Sequence, residues 1–66
     1  MTESEMSLLV KYDPVTYVPT HAKGNAQHKD CEQGVLIGWK GDIARVLYCT
    51  SGRTIQGTHI ENLVIG

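Results

Sequence analysis

The run from Gly34 to Tyr48, Gly-Val-Leu-Ile-Gly-Trp-Lys-Gly-Asp-Ile-Ala-Arg-Val-Leu-Tyr, constrains the fold more than any other stretch. Two segments rich in β-branched and aromatic residues meet at Lys40-Gly41, the pattern of a β-hairpin. Side chains of that shape pack well on a pleated surface, and glycine opens a tight turn. With Lys40 and Gly41 as the central turn residues, Cys31 falls opposite Thr50 and diagonal to Cys49. A one-residue change in turn length would bring the two cysteines face to face. Two cysteines are too few for a secreted disulfide framework, so free thiols are expected.

The other segments attach to this hairpin. Val15-Thr16-Tyr17-Val18 alternates as a first strand and is closed by Pro19. Before it, Ser7 to Tyr12 is apolar enough to add a short strand or to lie along the sheet, until Asp13-Pro14 turns the chain. Residues 1–6 are polar and acidic and read as a flexible tail. After the hairpin, Thr50-Ser51-Gly52 signals a turn and Arg53 to Thr58 a strand. His59 to Leu63 suits a single 3₁₀ turn, with Thr58 as N-cap, Glu61 three residues later, and Ile60 and Leu63 pointing inward. Val64-Ile65-Gly66 closes the chain, and helical periodicity is absent. The expectation is one all-β domain over residues 1–66, a small five-stranded SH3-like barrel with a long first loop and one 3₁₀ turn before the last strand. Its core would be Val15, Tyr17, Val35, Ile37, Ala44, Val46, Ile55, Ile60 and Leu63. At 66 residues such a domain is near the lower limit for folding without staples, so marginal stability or a homo-oligomer is expected.

Lys plus Arg number 6 against 7 Asp plus Glu, so no strong field steers the chain to nucleic acid, and a nucleic-acid-binding barrel face is the least favoured reading. No run approaches the ~20 apolar residues of a membrane span, and the acidic start lacks the features of a signal peptide. A soluble, cytoplasmic protein is expected.

Thr20 to Gln33 is the longest stretch without apolar pattern. Loops of that length in small domains usually bind something or are braced. It carries His21, Lys23, His28 and Lys29, the first binding candidates. His21, His28 and Cys31, with Cys49 or His59 as a fourth, have the residue types for zinc but lack paired short knuckles. The two histidines are therefore read as bracing the loop through backbone hydrogen bonds, and no metal or cofactor is expected. His28 would have to activate Cys31 as a nucleophile, yet Asp30 and Glu32 oppose thiolate formation and no oxyanion feature is evident, so the chain reads as non-catalytic. Trp39 and Lys40 at the hairpin turn suit either partner contact or packing. Tyr12, Tyr17 and Tyr48 suit an aromatic floor or half-buried core. Arg45 and Arg53, with Lys23 and Lys29, suit a phosphate cluster or a solvated face.

Three segments carry a resemblance: Val15 to Asn25, including Tyr17-Val18-Pro19-Thr20-His21-Ala22; His28 to Val35, including Cys31-Glu32-Gln33-Gly34-Val35; and Ile60 to Val64. Together they resemble a group of short phage and prophage proteins, largely uncharacterised, for which small β-barrels are the expected fold. The resemblance implies an accessory protein acting in the cytoplasm of an infected bacterium, binding and inhibiting a host bacterial protein. The residues themselves leave an alternative, an oligomeric sponge for a nucleotide-like ligand in which Arg45 or Arg53 meets phosphate and a tyrosine stacks on the base.

Overall fold

The structure is a computed structural model that describes residues 1–25, 27–48 and 54–66. It contains a one-turn helix α1 (Glu3–Met6), strands β1 (Pro14–Tyr17), β2 (Glu32–Lys40), β3 (Ile43–Tyr48), β4 (Thr54–His59) and β5 (Leu63–Ile65), and 3₁₀ turns η1 (Thr20–Ala22) and η2 (Ile60–Asn62). The strands form one antiparallel sheet in the order β4-β3-β2-β1-β5. The all-β class, the five strands and the 3₁₀ turn before the last strand match the sequence reading.

The hairpin register does not. Lys40 pairs with Ile43 and Trp39 with Ala44, so the turn residues are Gly41 and Asp42. Of these two only Gly41 has a positive φ, at 59°, the pattern of a type II′ turn with glycine first. The ladder then shifts between Leu36 and Gly38, and Leu36 falls opposite Val46. Because side chains alternate, an offset of one residue exchanges the faces of a strand. Leu36 is therefore core, 2% exposed, while Val35 and Ile37 are only half-buried. Cys49 and Thr50, on which the cysteine geometry depends, lie outside the described residues.

On β4 the pairs Ala44–Thr58, Val46–Gln56 and Tyr48–Thr54 put the strand's polar residues on the face of the buried Ala44, Val46 and Tyr48. Ile55, opposite Leu47, is turned outward and is 46% exposed rather than buried. Tyr17 is also only half-buried. What β4 withholds, residues outside β1–β4 supply. Met6, Ile60 and Leu63 join Val15, Leu36, Ala44, Val46 and Tyr48 in one cluster.

Met6 is wholly buried, at 0% exposure, so residues 1–6 are not a loose tail. A four-residue helix has no stability of its own. Here it is fixed by a capping box, in which Thr2 Oγ1 accepts from the Glu5 N–H at 3.2 Å and Glu5 Oε1 accepts from the Thr2 N–H at 2.9 Å. Those bonds hold the Glu5 carboxyl below its ordinary pKa. The Met1 amino group donates to the Ile60 and Leu63 carbonyls at 2.5 and 2.9 Å. Residues 7–12 add no strand. Instead the Tyr12 N–H donates to Leu36 O at 2.6 Å, the Leu36 N–H donates to Asp13 O at 2.9 Å, and Leu8, Val10 and Tyr12 stay exposed.

η2 joins the two ends of the sheet. Its cap is His59, whose Nδ1 accepts from the Glu61 N–H, because the Thr58 hydroxyl is engaged with Tyr48 Oη at 2.6 Å. The Ile60 N–H donates to Asp42 O at 2.9 Å, and the Val18 N–H to Asn62 O at 2.7 Å. Gly34 makes another close approach possible, since a Cβ there would lie 2.5 Å from the Leu47 carbonyl oxygen.

Met6→Ala is expected to cost about 2–5 kcal/mol in urea denaturation, and Met6→Leu less than about 1.5. A merely fraying terminus would tolerate both within ~0.5 kcal/mol.

Candidate functional site

The connection between β1 and β2 is ordered from within. η1 ends at Lys23 and Gly24, both with positive φ (51° and 80°), which reverses the chain. Successive backbone bonds follow, Asn25 N–H to Ala22 O, His28 N–H to Asn25 O and Cys31 N–H to His28 O, each between 3.0 and 3.1 Å. Asn62 Nδ2 ties this loop to η2 by donating to Val18 O at 3.1 Å and Thr20 Oγ1 at 3.3 Å. His21 Nε2 lies 2.7 Å from Asp30 Oδ2, His28 Nδ1 accepts the Asp30 N–H at 3.1 Å, and the two imidazoles meet edge to face at 5.3 Å between centroids. The expected backbone brace thus holds for His28, whereas His21 is held by a carboxylate. Cys31 Sγ donates to Asn25 O at 3.3 Å and is not the third member of the histidine pair; that place belongs to Asp30. Lys23 and Lys29 are exposed.

A second site lies at the hairpin tip. Ile37, Gly38, Trp39, Lys40, Ile43 and Arg45 line a cleft of about 320 Å³. It brings together Trp39, Lys40 and Arg45, three of the residues singled out from sequence, and adds Ile37 and Ile43. Trp39 is half-buried against the core. Ile43 is 47% exposed, and its Cγ2 leans over Gly57, 3.3 Å from where a Cβ would stand. Ile43 was legible in principle. Alternation with inward Ala44 and Val46 puts Ile43 and Arg45 together on the outer face. Ile37 was hidden by the ladder shift.

The third site follows from the polar inner face of β4. Tyr17, Glu32, Tyr48, Gln56, Gly57, Thr58, His59 and Asn62 line a cleft of about 350 Å³. The Tyr17 and Tyr48 rings stand edge to face at 6.4 Å. Burial raises the Tyr48 phenol above its ordinary pKa; the hydrogen bond to Thr58 opposes this, and Glu32 and Tyr17 add to it. Tyr12 belongs to neither cleft. It is exposed, with Lys11 Nζ 5.1 Å over its ring. Arg53 lies outside the described residues, and Arg45 lines the hairpin-tip cleft rather than the tyrosine cleft.

No protein family, curated protein or solved structure matches this chain. Among the described residues no helix is long and apolar enough to cross a membrane.

A raised phenol pKa favours the fold below the unfolded value of ~10, and that advantage is lost as pH rises through the folded value. Stability in urea is therefore expected to fall above about pH 10, and less steeply in Tyr48→Phe. At neutral pH that variant should lose about 1–3 kcal/mol because the buried Thr58 hydroxyl loses its partner.

Proposed function

We propose that this chain is a non-catalytic accessory module that captures a partner protein at the hairpin-tip cleft and blocks it by occupancy. The observation that carries this reading is an exposed Ile43 beside a half-buried Trp39, with Lys40 and Arg45 on the same cleft. An apolar floor with a cationic rim fits an apolar anchor flanked by Asp or Glu, and tryptophan and arginine are the side chains on which binding energy concentrates. A non-catalytic reading is supported by the loop chemistry. His28 Nδ1 accepts the Asp30 N–H rather than a proton from Cys31, whose thiol donates to a backbone carbonyl. The resemblance to short phage proteins is what suggests a host bacterial protein as the partner.

Ile43→Glu and Arg45→Glu are expected to abolish capture of the partner by immobilised protein while leaving the urea midpoint within ~0.5 kcal/mol of the parent. Capture that survives both substitutions would overturn this reading.

A second reading is favoured by the polar inner face of β4. Of Thr54, Gln56 and Thr58, which share the face of Ala44, Val46 and Tyr48, only Thr58 is buried, and with Gln56 it lines the cleft beside Tyr48. A buried polar residue in so small a core is a departure of the kind that concentrates at functional sites. The tyrosine cleft suits a small hydrogen-bonding ligand. Its described lining includes Glu32 and neither lysine nor arginine, which favours an uncharged base or nucleoside over a nucleotide phosphate. In a thermal-shift panel, nucleosides at saturating concentration should raise the midpoint by several degrees and their phosphates by less; a flat panel would discard the idea.

A further inference from the structure

We propose that His21, His28 and Asp30 form a binding site for one divalent transition-metal cation of the zinc class. The three side chains come from one short stretch, and their donor atoms all lie within 4.8 Å of one another. Two imidazoles and a carboxylate are the ligand types that zinc and its neighbours prefer, and three protein donors leave a position for water.

The spacing is close to what an ion needs. Metal–nitrogen and metal–oxygen bonds of about 2.0–2.2 Å place neighbouring tetrahedral donors a little over 3 Å apart. His21 Nε2 is 2.7 Å and His28 Nδ1 is 4.0 Å from the same Asp30 oxygen, so one gap opens and the other closes by under about 1 Å. The hydrogen bonding of His28 is also suitable. To accept the Asp30 N–H, its Nδ1 must carry the lone pair, which is the form that ligates. On binding, the ion replaces that weak bond, and the proton shared between His21 and Asp30 leaves Nε2 for Nδ1 or for solvent.

Two further features support a built site. Backbone bonds between Ala22 and Cys31, with Asn62 tying the loop to η2, brace the loop, and the donors already stand together without an ion. Cys31 is sequence neighbour to Asp30, yet its Sγ is turned to the Asn25 carbonyl. The donor set is therefore nitrogen and oxygen without sulfur, which is spectroscopically distinct. The alternative is a plain His–Asp brace that closes the loop and takes no ion.

The 66-residue chain, stripped with chelator, is titrated with Zn²⁺ by calorimetry and native mass spectrometry, and with Co²⁺ by visible absorption. One ion per chain, a Zn²⁺-dependent rise in thermal midpoint, and a Co²⁺ spectrum without a thiolate charge-transfer band are expected. Asp30→Asn and His21→Gln should each weaken affinity by at least about tenfold, since even residues one step removed from a metal cost 10–100-fold. Cys31→Ser and His59→Gln should leave it unchanged. If either loop variant fails to fold, His28→Gln serves in its place. A parent protein that takes up no stoichiometric ion, binding that survives the loop substitutions, or binding lost in Cys31→Ser would each overturn the assignment.

Discussion

The structure depends on one shortfall: β4 contributes no large apolar side chain to the interior. Of the residues it pairs with buried Ala44, Val46 and Tyr48, only Thr58 is buried, Gln56 and Thr54 are exposed, and Ile55 lies on the outer face. Each fully buried aliphatic side chain contributes ~1.5–3 kcal/mol, so a domain of this size cannot leave such a position empty. Met6 from α1 and Ile60 from η2 complete the cluster. Their placement explains the hydrogen bonds around them, from the capping box at Thr2 and Glu5 to the bonds that η2 makes with Met1, Val18 and Asp42. These contacts hold segments that lack enough length to hold themselves.

The candidate surfaces draw on different strands, with β4 lining only the tyrosine cleft. Polar residues of β4 line a tyrosine-walled space beside Thr58, while Ile37 of β2 and Ile43 of β3 line the cleft that holds Arg45. The loop between β1 and β2 contributes none of its own side chains to either cleft and shares only Asn62 with the tyrosine cleft. It is fixed by its own turns and by Asn62, and its histidines converge on Asp30.

Much of the fold was legible because alternation and turn residues are local signals. Val15, Ala44, Val46, Ile60 and Leu63 are buried where their spacing placed them. Register was not legible, because moving the turn from Lys40-Gly41 to Gly41-Asp42 and inserting one extra residue near Ile37 leave the same string of letters readable in either phase. Met6 escaped notice for a different reason. One apolar residue among acidic ones has no period to detect, and only the tertiary cavity it fills explains it. At the sites, Trp39, Lys40 and Arg45 were found because residue type and turn proximity suffice for a surface cluster. Asp30 was passed over as a ligand because its role arises from loop closure rather than from spacing.

Gly34 has a consequence of its own. It sits opposite Tyr48 on one side and Val15 on the other, and a methyl group would press on the Leu47 carbonyl and the Val46 side chain. Sequence variation is thereby forbidden at 34 on steric grounds alone. A glycine that persisted there through divergence would record the close approach of β3 to β2 and carry no information about what the molecule recognises.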